Sequence, residues 1–136
     1  STAVEDAENY VIHDNVISKE PLVAYVSSKD MDWGNIVRWS IYATLFAEEK
    51  GITQDNYKKH LSSRDPSIRR LLGTDSMEGS AEAGLAKDWA KNIIAGSGNY
   101  GEIIDRYLGK QSKINIKRDM NKLWRDGGLQ YSPPFR

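Results

Sequence analysis

A chain of 136 residues is long enough for one domain but short for two. Apolar residues make up 39% and charged residues 28%, the balance of an ordinary globular domain and not of a disordered or collagen-like chain. It carries 19 basic and 19 acidic residues and no cysteine, which excludes disulfides, thiolate metal sites and a cysteine nucleophile.

In chain order, the acidic residues 1–9 read as the end of a helix. Tyr10-Val11-Ile12 is a short β-prone run stopped by the turn-forming His13-Asp14-Asn15. Pro21 precedes Leu22-Val23-Ala24-Tyr25-Val26, the best strand candidate, which Ser27–Asp30 closes as a turn. Asp30 is a good N-cap for a helix from about Met31 to Lys50. Trp33, Ile36, Val37, Ile41, Thr44 and Leu45 recur on one side of it, while Trp39, Ala43, Phe46 and Ala47 make the other side apolar too. A helix apolar on both sides is expected to be buried on both. Gly51-Ile52 reads as a Schellman-type stop.

Thr53 is predicted to cap a helix through Leu61. Asp65-Pro66 opens another through Leu72, with proline at its first position and Gly73 as its end. Residues 73–84 form a loose connection. Helices follow over about Leu85–Ala95 and Asn99–Leu108, and Met120, Leu123 and Trp124 share a final turn or two before Gly127-Gly128. Residues 129–136 are an extended tail. The inventory is therefore α-rich, with one or two strands that either pack on the helices or find their sheet partners outside this chain.

The charges are unevenly spread. Residues 1–90 carry 10 Lys/Arg and 15 Asp/Glu; residues 91–136 carry 9 and 4. Arg106, Lys110, Lys113, Lys117, Arg118, Lys122 and Arg125 face one acid, Asp119. With a neutral total and no base-reading motif, this run is expected to be a solvated, partly helical surface and not a nucleic-acid site. His13 and His60 have no metal-ligand spacing. Glu102 and Asp105, three apart on a helix, have the form of a carboxylate pair, but acid–base work needs environments that separate two pKa values. No GxSxG, P-loop or dinucleotide fingerprint is present, so no catalytic, cofactor, metal or ligand residue is assigned. No apolar run approaches the ~20 residues that span a membrane. The chain starts at Ser1-Thr2-Ala3 without Met or leader and is expected to be processed or cut from something longer.

Several strings raise this reading. Val16-Ile17-Ser18-Lys19-Glu20-Pro21-Leu22 resembles the VISKEPL segment of general L-amino-acid-binding periplasmic proteins of polar amino-acid ABC importers. Trp33-x-x-Ile36-Val37-Arg38-Trp39, Ala47-Glu48-Glu49-x-Gly51-Ile52-Thr53, Ile68–Gly73, Gly98-Asn99-Tyr100-Gly101-Glu102-Ile103 and Leu123-Trp124-x-x-Gly127-Gly128-Leu129-x-Tyr131-x-Pro133-Pro134 match the same family in the same order, the last of them its closing residues. The departures are His13-Asp14-Asn15 for LPE, Gly34 for a usual Phe, and Asp119 for a usual Gly.

The resemblance implies an α/β, α-rich fold: the C-terminal part of one lobe of a two-lobed type II periplasmic binding protein, with helices plus one or two strands. Residues 1–20 would be the end of the second lobe and the hinge return, and residues 21–136 the C-terminal helical part of the first lobe with its extended tail. It implies a non-enzymatic, periplasmic protein that captures L-amino acids and delivers them to the membrane permease. The family's carboxylate-binding Arg and ammonium-binding Asp lie upstream of the match, so no residue here inherits either role. Arg38 is expected to pair a neighbouring acid, and Asp14 to make its turn. The alternative is a free-standing helical interaction module.

Overall fold

A computed structural model describes residues 6–11, 13, 15, 17–18 and 22–136. Ile12, Asp14, Val16 and residues 19–21 lie outside the described residues, and with them part of the predicted first strand, of its turn and of the hinge return. The scaffold is helix α1, Met31–Glu49. The Asp30 carboxylate accepts the Trp33 amide at 2.8 Å, so one of the four unpartnered amides of the first turn is satisfied. At the other end Gly51 takes φ +67°. The Ile52 amide donates to the Ala47 carbonyl at 2.8 Å and the Gly51 amide to Glu48 at 3.0 Å, the paired bonds of a Schellman stop.

Three shorter helices complete the set: α2 (Pro66–Leu71), α3 (Trp89–Ser97) and α4 (Tyr100–Tyr107). α1 packs against α3 and α4. Ala43, Phe46 and Ala47 of α1 meet Ile68 and Leu71 of α2, Ala90 and Ile94 of α3, and the loop residues Ile52 and Leu72. The tail closes this core. Phe135, 2% exposed, stacks on Phe46 with ring centroids 5.1 Å apart and meets Trp39 edge-on at 5.4 Å. Burying one such side chain contributes roughly 1.5–3 kcal/mol, with the aromatic geometry adding to it.

Asp65 ties α2 to α1. One of its oxygens caps α2, accepting the Ser67 amide at 2.8 Å and the Ser67 hydroxyl at 2.5 Å; the other receives the Lys50 ammonium at 2.9 Å. The Ser67 hydroxyl, then Lys50, hold this carboxyl well below the usual carboxylate range.

Three expectations need correction, and a fourth, the final turn or two, is borne out and made specific. Thr53–Leu61 is not a helix; only Tyr57–His60 makes a 3-10 turn. Thr53 and Asn56 instead exchange side-chain–backbone bonds, Thr53 amide to Asn56 carbonyl oxygen at 2.8 Å and Asn56 amide to Thr53 hydroxyl at 3.1 Å, which compete with the helical ladder. α3 starts at Trp89, not Leu85, whose amide is tied back to the Ser80 carbonyl at 2.9 Å and so closes the preceding turn. The final helical turns are two 3-10 turns, Asp119–Asn121 and Trp124–Asp126. Lastly, no strand forms among the described residues; their one bridge is an isolated parallel pair, Leu123 with Gln130. Residues 22–26 lie outside any helix, with Leu22 92% and Tyr25 91% exposed. A strand exists through its hydrogen-bonded neighbour, and the elements that follow in this chain are helical.

The loop 119–130 closes tightly on itself. The Trp124 amide donates to the Gln130 carbonyl at 2.8 Å, Gln130 to Lys122 at 3.0 Å, and Gly128 to Leu123 at 3.0 Å. A Cβ at Gly128 would collide with the Lys122 carbonyl and stand 2.7 Å from its Cα, whereas one at Gly127 meets nothing within 4 Å. Gly128→Ala is therefore expected to cost upwards of about 3 kcal/mol in urea unfolding, and Gly127→Ala, strained only by its left-handed φ of +84°, about 1 kcal/mol; equal costs would contradict this packing. A second expectation concerns acid. Because the folded Asp65 pKa is lowered, its contribution is present above the unfolded pKa and is lost as pH falls through the folded value, so destabilisation begins below about pH 4. In Asp65→Asn, unfolding curves across that acid range should show a correspondingly flatter pH dependence.

Candidate functional site

The charged residues singled out in the sequence are drawn into structural junctions. Glu48, at the end of α1, is gripped by Arg118 through both guanidinium nitrogens, Nη1 to Oε1 and Nη2 to Oε2, the latter at 3.1 Å. Both side chains are largely buried, 17% and 15% exposed. Arg118 lies over the Tyr100 ring at 5.6 Å and also donates to the Asn121 carbonyl at 2.8 Å. Burial pushes the Tyr100 phenol up, with the Arg118 charge opposing. Gly101 makes room for the pair inside α4: a Cβ there would stand 2.9 Å from Glu48 Oε1 and 3.2 Å from Arg118 Nη1.

Arg125 completes the clasp, donating to the Glu49 carbonyl at 2.6 Å and the Glu48 carbonyl at 3.4 Å. A cation at these last carbonyls also complements the helix dipole. The Ser132 amide donates to Glu49 Oε1 at 3.2 Å. Arg106 donates to the Ser97 carbonyl at 3.2 Å, and Lys110 lies 4.0 Å from Asp105. Two residues of the basic run, Arg118 and Arg125, thus clasp the acidic half. The run is otherwise a solvated, partly helical surface, as predicted: the end of α4 and the turns Asp119–Asn121 and Trp124–Asp126 flank the irregular residues 108–118.

Glu102 and Asp105 do not form a working acid–base pair. Glu102 sits in a capping box: its Oε2 accepts the Asn99 amide at 2.8 Å, and the Asn99 side-chain oxygen accepts the Glu102 amide at 2.9 Å. The Gln54 amide is a second donor to this carboxylate, at 3.1 Å. Its lone pairs are spent on backbone, and Asp105 faces Lys110. His13 is exposed and His60 half-buried in its 3-10 turn. No group of three His, Cys, Asp or Glu that could hold a metal exists among the described residues. Arg38 is exposed and donates to Asn35 Oδ1 at 3.3 Å; the neighbouring acid expected as its partner is an amide instead. Asp14 lies outside the described residues.

What remains open is apolar. Over Ala43–Ala47, Thr44 and Leu45 included, α1 is buried on both sides as expected, but nearer its start Met31 is 68%, Trp33 53% and Ile41 39% exposed. Residues 22–26 approach α1 here: a Cβ on Gly34 would stand 3.3 Å from Val26 Cγ2, so the glycine permits the close approach. The feature was readable as a doubly apolar helix beside a strand without a partner. Which of its apolar residues stay exposed was not.

No family model matches the chain. Its fold is that of part of a periplasmic binding protein: a binding protein of an ABC transporter from Brucella ovis, solved with glutathione bound, superposes with a TM-score of 0.88 at 43% identity, over 99% of this chain and 42% of that one. In sequence the chain is a homologue of the amino-acid-binding periplasmic proteins of ABC transporters. It is 45% identical over 98% of its length to the general L-amino acid-binding periplasmic protein AapJ of Rhizobium johnstonii. It is 46% identical over 96% to the glutamate/glutamine/aspartate/asparagine-binding protein BztA of Rhodobacter capsulatus, and 43% identical over 93% to the putative amino-acid ABC transporter-binding protein YhdW of Escherichia coli. The chain spans 37–39% of the length of these relatives.

The clasp can be tested directly. Arg118→Met strands a mostly buried carboxylate and is expected to cost about 2–4 kcal/mol in urea unfolding, whereas Glu48→Gln combined with Arg118→Met should cost clearly less than the sum of the two changes. Additive losses would show that the two side chains do not act as a pair.

Proposed function

We propose that this chain is the C-terminal part of one lobe of a periplasmic solute-binding protein, which captures L-amino acids and hands them to the permease of an ABC importer. Residues 1–20 would be the end of the second lobe and the hinge return, and residues 21–136 the helical part of the first lobe and its tail. The observation that carries this reading is the exposed apolar residues Met31, Trp33 and Ile41 of α1 with residues 22–26 beside them, in a chain that aligns over more than nine tenths of its length with under two fifths of each relative. A sheet contributed by the rest of the same protein would pair residues 22–26 and cover Trp33 and Ile41, removing surface that costs roughly 25 cal/mol per Å² to leave in water.

The homologues are binding and transport proteins, in keeping with the structural use of Glu102 and Asp105. Amino acids are the ligands in the relatives' names and glutathione the one in the solved neighbour. These share an α-ammonium and α-carboxylate on one carbon, which the γ-glutamyl end of glutathione keeps free. Such a zwitterion needs a fixed cation and a fixed anion, each paired and out of water. In this chain Arg118 and Glu48 hold each other and Arg38 is on the surface, so the pocket belongs to the parent protein and no residue here is assigned to it.

The test is complementation. Joined with the upstream remainder of the protein, the chain should form a stable complex that binds L-glutamate or another common amino acid with micromolar affinity by calorimetry. Alone it should bind no better than about millimolar. Micromolar binding by the isolated chain would overturn the missing pocket, and failure to associate would overturn the lobe assignment in favour of a self-sufficient helical module.

A further inference from the structure

A cleft of about 580 Å³ opens between the first half of α1, the 77–85 loop and the tail. Its apolar lining includes Trp39, Trp89, Met77, Ile36 and Leu85. The Trp89 indole N–H donates to the hydroxyl of Ser80, itself 8% exposed, which fixes that ring in place. Asp32, Glu78 and Glu82 also line the cleft, against the single cation Arg136. All three acids are exposed and make no ion pair among the described residues. Unlike Glu48, Asp65 and Asp88, which are held by basic side chains, these three carboxylates keep their charge available at an aromatic cleft.

We propose that this cleft receives an arginine side chain from an exposed loop of a partner protein. The occupant must be apolar along its stem and cationic at its tip. Arginine fits better than lysine because its flat, weakly hydrated guanidinium stacks on an indole while donating to carboxylates, whereas an ammonium is a compact, strongly hydrated point charge. The size is adequate, since cavities of roughly 300–1,000 Å³ hold small ligands and one side chain needs less. The inference is independent of the amino-acid pocket, because it asks for a cation without an α-carboxylate, at a cleft between α1, the 77–85 loop and the tail.

The probe is N-acetyl-L-arginine amide, a monocation that is not a zwitterion, added to the chain while the indole N–H resonances of Trp39 and Trp89 are followed by NMR. Saturable shifts of both are expected. The norleucine analogue, with the stem but no charge, and the lysine analogue should each bind several-fold more weakly. Glu78→Gln with Glu82→Gln, at exposed positions, should weaken arginine binding at least ~5-fold with an unchanged circular dichroism spectrum. No saturable shift, or equal binding of the lysine or norleucine analogue, would overturn the proposal. So would shifts that vanish once the chain is joined to its upstream remainder, since the cleft would then be a seat for that remainder; failed complementation leaves the arginine test intact.

Discussion

The fold hangs on Phe135. Its ring lies between Phe46 and Trp39 of α1, and its carbonyl accepts Arg70 Nε at 3.2 Å, so one residue joins α1, α2 and the tail. Bringing a residue so distant in sequence back to α1 carries the entropy of closing a long loop. The bonds that hold the returning chain follow from that: Arg118 on the Glu48 carboxylate, Arg125 on the last carbonyls of α1, and the Ser132 amide on Glu49. Two arginines of the basic run, Arg118 and Arg125, are thus spent on this closure.

This use of charge commits the polar groups that the sequence singles out. A catalytic carboxylate or a ligand-binding guanidinium must keep donors or lone pairs for its substrate. Glu102 gives its lone pairs to the backbone amides of Asn99 and Gln54, and Arg118 gives both terminal nitrogens to Glu48 and Asn121. The polar groups were placed to end helices and close loops, a division of labour in keeping with a supporting part of a binding protein.

The two sides of α1 set the relation between this chain and its larger relatives. On one side Ala43 and Ala47, small and four residues apart, admit the neighbouring helices and the tail. On the other, Trp33 and Ile41 and the segment 22–26 meet water. Such a surface is stable as part of an assembly and a liability outside it.

Local interactions were legible in the residues alone. Asp30, Asp65 and Gly51 start and stop helices through bonds that reach only a few positions along the chain, and all three do so in the structure. The resemblance carried by strings such as Gly98-Asn99-Tyr100-Gly101-Glu102 was legible too, and homologues along nearly the whole chain bear it out. The short Tyr57–His60 turn was not, because Thr53 and Asn56 choose each other over the helical ladder only in their folded surroundings. Neither was the lack of a pairing partner for residues 22–26, the pairing of Arg118 with Glu48 seventy positions away, nor which apolar residues of α1 stay exposed. Those depend on which segments meet, and hydrogen-bond partners and buried area arise only when the chain has folded back on itself.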